Sequence, residues 1–223
     1  MPDVAVGGWA LRAQVPEGIF TLAIEADERT AAAEHAAFAD RCQSLLLRSV
    51  GGDAAELGWL QADLVGQLGA LRQAIKDAGL GYLGALAGER DGRPAFVLLA
   101  IAATPLAYPS GVDPASLLVT MLQKQYLGAA VEEFPTARAA GAGVRRCETL
   151  RLPSGGADGG PLIINVGISQ ALVPFPEAGL LGQVTGCSFR PEDVDMATVF
   201  TATIAYHLTV APATVRSATV PAP

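Results

Sequence analysis

The sequence has few of the residues that carry catalysis or bind metals. Its 223 residues include two histidines, His35 and His207, and three cysteines, Cys42, Cys147 and Cys187. They form no Cys-x-x-Cys pair and no short His/Cys spacing, so no zinc site is predicted. The chain also has no Gly-x-Ser-x-Gly segment and no Gly-Lys-Ser/Thr phosphate loop. We therefore predict no catalytic, metal-binding or cofactor-binding residues.

Long apolar runs and a leader-like start are missing as well. No stretch of about 18 consecutive apolar residues occurs, so we expect no membrane-spanning helix. The first ten residues lack basic side chains and a long apolar core, which argues against a signal peptide. The odd number of cysteines does not indicate a disulfide framework. We expect a cytoplasmic protein whose three thiols are free and buried as small core residues.

Basic residues are outnumbered. The chain has 22 Asp and Glu against 15 Lys and Arg, which gives a net charge of -7 at pH 7. Nucleic-acid binding that does not depend on sequence requires basic side chains that neutralise phosphates. An anionic membrane surface would be an equally poor match for this charge. We expect neither nucleic acid nor membrane as a partner, and predict a protein partner.

One stretch that is rich in apolar residues organises the chain. Leu83–Thr104 consists of two apolar arms around Asp91-Gly92, and Asp-Gly is a favoured two-residue hairpin turn because both positions need positive φ. The second arm, Ala95–Ala103, is apolar at every position. A strand without polar alternation is covered on both faces. The pattern predicts a β-hairpin whose second strand lies in the centre of a sheet.

The remaining patterns predict mixed α and β structure. An opening hairpin is expected around the turn Pro16-Glu17-Gly18, with arms Trp9–Val15 and Ile19–Ala26. Helices are expected from Asp27 to Gly51, over Leu57–Ala78 and from Asp113 to Phe134, and strands over Val144–Leu152, Leu162–Gln170 and Leu180–Phe189. Met196–Leu208 fits both a helix and a strand, and we favour the helix. Together these elements predict a single α+β domain over 1–210, mostly an antiparallel sheet covered by helices, and a disordered Pro/Ala-rich tail over 211–223.

Two groups of residues are candidate binding sites. Val144–Leu152 has mixed polarity on both faces, which is typical of an edge strand. Such an edge accepts an extended partner strand, and Arg145, Arg146 and Arg151 would select acidic side chains on it. The alternative is a small-molecule binder or hydrolase with a pocket beside the central hairpin, lined by Tyr82, Arg93 and Tyr108. A Ser169–His207 pair is a conceivable but weak nucleophile–base candidate.

Three segments of the chain carry a resemblance to a known family. They are the turn Val15-Pro16-Glu17-Gly18, the hairpin Leu83–Thr104, and the ending Cys187–Pro191 followed by Phe200–Ile204. With the element order above, the chain resembles the Mog1/PsbP-like α/β/α sandwich, in particular actinobacterial-type members of unknown role. The resemblance implies a non-enzymatic binding or assembly factor, accessory or chaperone-like in a secretion or envelope system. It carries over no catalytic residue.

Overall fold

The fold is mixed α/β. The structure is a computed structural model, and it describes residues 3–6, 8–22, 28–50, 81–152, 162–188 and 190–213. Within these ranges, the strands are β1 (Asp3–Val6), β2 (Trp9–Arg12), β3 (Phe20–Leu22), β4 (Tyr82–Arg90), β5 (Arg93–Pro105), β6 (Ala130–Pro135), β7 (Ala140–Leu152), β8 (Leu162–Phe175), β9 (Leu180–Ser188) and β10 (Thr209–Pro212). The helices are α1 (Glu28–Val50), α2 (Pro114–Gln125) and α3 (Val194–Tyr206).

The strands form two sheets, and all the strand pairs are antiparallel. The large sheet has seven strands in the order β3-β4-β5-β9-β8-β7-β6, and the small sheet has the order β1-β2-β10. The predicted class, a mixed fold built on an antiparallel sheet, is therefore confirmed.

The central hairpin forms as the sequence predicts. β4 and β5 pair from Tyr82 opposite Ile101 to Arg90 opposite Arg93. The turn residues Asp91 and Gly92 have φ values of 53° and 73°, the left-handed conformation that this two-residue turn requires. β5 also pairs with β9 along most of its length. It is thus an interior strand.

Helices cover both faces of the large sheet. α3 and the small sheet pack on one face, which we call the α3 face, and its core includes the fully buried side chains of Leu11, Val97, Leu99, Phe175 and Ile204. α2 packs on the opposite face through Leu118 and Leu122, against β7, β8 and β9. α1 lies over β3, β4 and β5, where Phe38 meets Phe20 edge to face. Burial of apolar side chains on both faces provides the main favourable term for folding.

Two predicted elements are wrong. The arms of the expected opening hairpin do not pair with each other, because β2 pairs with β1 and β10 while β3 pairs with β4. The helix expected from Asp113 to Phe134 ends at Gln125, although Asp113 does cap its first turn by accepting from the Ser116 N–H. Gly128, at φ 80°, then reverses the chain and β6 begins at Ala130. Cross-strand pairing with β7 overrides the helical spacing of the apolar residues in this stretch.

Several other predicted elements are confirmed or are longer than expected, and the rest fall outside the described residues. The segment after Pro191 is a helix, α3, and β9 matches the predicted strand closely. β8 continues past Gln170 to Phe175, and β10 includes residues 211 and 212, the first two of the predicted tail. The expected helix over 57–78, the glycine-rich loop over 154–160 and the tail after residue 213 lie outside the described residues.

The cysteines correct one further expectation. Cys147 and Cys187 are free, as predicted, but Cys147 on β7 is exposed and Cys187 on β9 is half-buried. Burial raises the pKa of the Cys187 thiol to about 11, with a smaller contribution from the nearby carboxylate of Glu148. The side chain of Cys42 lies outside what the structure describes.

We expect Cys147 to react with an aromatic disulfide reagent at pH 8 far faster than Cys187. The thiolate is the reactive form, and a pKa of about 11 leaves roughly one Cys187 thiol in a thousand ionised at that pH. Cys147→Ser should therefore remove one fast equivalent from the native time course, and Cys187→Ser should not. A fast phase that disappears in Cys187→Ser would show that this thiol is neither buried nor shifted.

Candidate functional site

The predicted arginine patch is not one surface. Arg145 and Arg146 are consecutive residues of β7, and consecutive side chains of a strand point to opposite faces of the sheet. Arg145 accordingly lies on the α3 face, and Arg146 lies on the α2 face. Arg151 pairs through its backbone with Ile163, and its side chain lies outside what the structure describes.

Arg146 is already occupied by contacts within the chain. Its guanidinium carbon lies 4.1 Å from the centre of the Tyr126 ring, a cation–π contact to the end of α2. It forms an ion pair with Glu148 and donates a hydrogen bond of 3.4 Å to the Gln170 side chain. Its side chain is 15% exposed. Arg146 therefore ties α2 to the sheet and is not free for a partner.

Arg145 is exposed but also paired. Its Nη1 lies 3.4 Å from Oδ1 of Asp195 on α3, and both side chains are in contact with solvent. Such exposed pairs contribute little to stability. The edge prediction is corrected in part, because β6 pairs with β7 from Ala140 to Arg145. Beyond Arg145, no other described strand pairs with the outer side of β7.

The alternative pocket beside the hairpin is not assembled. Arg93 lies at the tip of the hairpin, whereas Tyr82 pairs with Ile101, about 26 Å further along the strand. Tyr82 is buried, and its hydroxyl lies 3.4 Å from that of Thr21. Tyr108 donates a hydrogen bond of 2.7 Å to the Leu180 carbonyl, and burial raises the pKa of its phenol to about 12. The three side chains do not line one site.

Arg93 instead joins the hairpin tip to the start of α3. Its two guanidinium nitrogens lie 3.3 Å from Glu192 and 3.4 Å from Asp193. Arg90 approaches the same Asp193 oxygen at 3.6 Å. The Asp193 side chain is only 3% exposed, and a buried carboxylate needs such partners to remain charged. This cluster fixes the position of α3 over the sheet.

The surface that the sequence did not reveal is strand β6. It is the last strand of the large sheet, and no other described strand pairs with its outer side. Glu132 and Glu133 stand in its middle, both exposed, and neither forms an ion pair with a residue that the structure describes. The sequence does contain one signal for β6. It is the short segment between Gly128 and Pro135, followed by Gly141-x-Gly143.

Phe134 shapes the inner side of β6. A Cβ atom at Gly141 would lie 2.8 Å from Cζ of the Phe134 ring, and one at Gly143 would lie 3.5 Å from its Cδ1. The ring therefore covers these two glycines of β7 on the α3 face, where larger residues would displace it. A cleft of about 60 Å³ remains beside the ring, between β6, β7, β8 and α3.

The cleft has polar walls. Glu132 and Arg145 lie at its rim, and Ser169 lies on its floor with Thr198 and Thr201 of α3 to one side. Both threonine hydroxyls donate to carbonyls of their own helix, at 2.8 Å and 2.7 Å. Ser169 is 3% exposed, and its hydroxyl makes no hydrogen bond with any residue that the structure describes. The hydroxyl faces the cleft, where a polar occupant could form a hydrogen bond with it.

An open apolar depression adjoins the end of β6. It measures about 360 Å³ and lies between Phe134 and Pro135 on one side and Ala202, Tyr206 and His207 on the other. The Ala137 N–H donates a hydrogen bond of 3.0 Å to the Tyr206 carbonyl, which holds the β6–β7 turn against the end of α3. Val199 and Tyr206 of α3 are exposed by 64% and 43%.

The described residues show no assembled catalytic or metal centre. Ser169 lies in the cleft, His207 lies at the end of α3 with its ring against Tyr206, and no hydrogen bond joins them. No group of three or more His, Cys, Asp or Glu side chains is arranged to bind a metal ion within these ranges. None of the helices that the structure describes is both long and apolar enough to cross a membrane.

Comparison with protein families, curated proteins and solved structures finds no match for this chain. The function therefore has to be argued from the outer strand and the cleft beside it.

Proposed function

We propose that this chain is a non-enzymatic protein-interaction module that binds an extended segment of a partner along strand β6. A cytoplasmic location, an accessory or chaperone-like role in a secretion or envelope system and membership of the Mog1/PsbP-like family are parts of the same proposal. The location rests on the odd number of cysteines and on the lack of a signal-peptide pattern, whereas the role and the family rest on the resemblance of the sequence segments. An antiparallel sheet with helices on both of its faces supports that resemblance.

One observation carries the proposal. β6 ends the seven-stranded sheet with an outer side that no other described strand pairs, and a cleft and an apolar depression lie directly beside it. A free strand edge offers backbone N–H and C=O groups to an extended peptide, and adjacent pockets select its alternate side chains. The exposed Val199 and Tyr206 on α3 extend the apolar surface that a partner would cover.

The proposed site differs from the arginine site that the sequence suggested. Arg146 is engaged by α2 and Glu148, and Arg145 by Asp195, so neither is available without breaking a contact. β6 pairs with β7 from Ala140 to Arg145, so over these residues the accessible edge is β6 and not β7. No observation favours the alternative of a small-molecule site, because Tyr82 and Arg93 lie at opposite ends of the hairpin.

The test is selection of extended peptides followed by mapping of the contact. Random eight-residue peptides displayed on phage should yield binders of the purified chain. Titration of a selected peptide into isotope-labelled protein should shift the amide resonances of Ala130–Pro135 most strongly. Shifts concentrated at the opposite edge, β3, or the absence of any binder would contradict the proposal.

A matched pair of proline variants tests strand addition itself. Successive residues of an edge strand direct their backbone groups alternately to the inner and to the outer side. Of Glu132→Pro and Glu133→Pro, one removes a hydrogen bond to β7 and should lower the melting temperature. The other removes only an outward N–H, and should abolish peptide binding while the melting temperature stays unchanged. Normal binding by both variants would exclude backbone pairing at β6.

A further inference from the structure

We propose that the segment bound at β6 has the pattern apolar-basic-basic-apolar, and that the basic residue opposite Glu132 is a lysine that reaches toward the cleft. This inference rests on the proposed function and names the chemistry of the partner. It follows from the register of β6, from its unpaired charges and from the cleft beside it.

The register of β6 sets the pattern. Glu132 pairs with Gly143 and lines the cleft on the α3 face, so Glu133 points to the α2 face. Val131 packs with the α2 core, and Phe134 packs with the α3 core. Residues directly opposite each other in a sheet share a face and interact. A strand added to β6 therefore places two neighbouring residues opposite the glutamates, flanked by residues opposite Val131 and Phe134. Because the pattern is symmetric, it is the same for parallel and antiparallel addition.

Charge complementarity selects basic residues at the two middle positions. Glu132 and Glu133 are exposed and have no ion-pair partner among the described residues. At the rim of the cleft, Arg145 forms an ion pair with Asp195, so their charges cancel. The carboxylate of Glu132 then makes the net charge at the rim negative. Opposite charges directly across a strand pair are favourable, and like charges are unfavourable.

The cleft favours lysine opposite Glu132. An added strand lies about 4.8 Å beyond β6, so only a long side chain crosses β6 to reach the cleft. The volume of about 60 Å³ admits a slender chain and is far smaller than the cavity of about 150 Å³ that holds benzene. An ammonium there meets the Glu132 carboxylate and the face of Phe134. The hydroxyl of Ser169, which lines the cleft and has no hydrogen bond to any described residue, is a further acceptor for it.

A second copy of the chain is a poor occupant. Antiparallel pairing of two β6 strands in register would place Glu132 of each strand opposite Glu133 of the other. Like charges directly opposite each other are destabilising, and Pro135 has no N–H to donate. The same two glutamates that attract a basic strand thus disfavour edge-to-edge association of the protein with itself.

Defined peptides test the inference on the full chain. A labelled peptide Gly-Ser-Val-Lys-Lys-Val-Ser-Gly should bind, by fluorescence anisotropy, at least tenfold more tightly than the same peptide with Val-Glu-Glu-Val at its centre. Replacing both lysines with norleucine, which keeps the length and removes the charge, should weaken binding to a similar extent. Equal affinity for the three peptides would overturn the inference, and equal affinity for an arginine version would overturn the assignment of lysine.

Protein variants locate the contact. Glu132→Gln should weaken the lysine peptide about tenfold, whereas Glu89→Gln, an equally exposed glutamate on β4, should leave it unchanged. The double variant Glu132→Lys, Glu133→Lys should prefer the Val-Glu-Glu-Val peptide. An unchanged affinity in Glu132→Gln would overturn the inference. If phage-selected peptides shift the amide resonances of β6 but their affinity does not depend on their charge, the proposed function stands and this inference alone fails. If no peptide shifts the β6 resonances, both fail.

Discussion

Leu99→Asp is expected to unfold the protein or to lower its free energy of unfolding by at least about 4 kcal/mol. Leu99 is fully buried in β5, opposite Gly84 on one neighbouring strand and Gly186 on the other. It belongs to the buried cluster that also contains Ile204 of α3. A carboxylate there would have no partner, and an isolated buried charge costs several kcal/mol even when it is neutralised by protonation. Chemical denaturation monitored by circular dichroism measures the loss.

Two companion variants keep this expectation testable. Leu99→Ala should fold and lose about 3 kcal/mol, because it removes buried methyl groups and leaves a cavity. Thr104→Asp, at an exposed position of the same strand, should change the stability little. A Leu99→Asp protein as stable as Thr104→Asp would show that β5 is not the central strand of the core.

Gly186→Val is expected to lower the free energy of unfolding by about 3 kcal/mol. A Cβ atom at this position of β9 would lie 2.6 Å from the Thr201 hydroxyl oxygen and 3.0 Å from the Ala197 carbonyl oxygen. Thr201 donates to that same carbonyl, so both atoms belong to the contact between α3 and the sheet. The helix would have to lift away from β9. Urea titration measures the loss.

Gly88→Val is the matched control. A Cβ atom at Gly88 of β4 would meet no atom within 4 Å, so the added side chain should be tolerated. Because α3 also forms one wall of the cleft, Gly186→Val should weaken any peptide that enters the cleft, and Gly88→Val should not. Equal stability of the two variants would mean that α3 does not lie against β9 as closely as the structure shows.

The part of the fold that could be predicted comes from local chemistry. Asp91-Gly92 between two apolar arms predicts a hairpin turn because few residues accept positive φ at both positions, and the turn forms. Asp113-Pro114 predicts a helix start, and the Asp113 carboxylate does accept from the Ser116 N–H. In each case the interaction joins residues that are only a few positions apart in sequence.

The candidate site could not be predicted in the same way. The apolar residues after Gln125 continue the helical spacing, but the chain turns at Gly128 and pairs as β6 with a strand that comes later in the sequence. The arginines Arg145 and Arg146 looked like one patch, yet the pleat of β7 sends them to opposite faces, where Asp195 and Glu148 engage them. Glu148 lies two residues from Arg146 on the same strand and so shares its face, but Asp195 lies 50 positions from Arg145 and only the fold brings the two together.

Local sequence patterns are enough to predict the mixed α/β class, the central hairpin, the capped start of α2 and the helix near the end of the described chain. These depend on backbone conformational preference and on short-range periodicity, which each segment carries alone. Long-range packing sets which strand ends the sheet, which charges are left unpaired there, and that Ser169 lies beside Glu132 and Phe134 in one cleft. Those outcomes depend on the pairing of strands that are distant in sequence, and the energy of such pairing comes from the packed neighbours rather than from the strand itself.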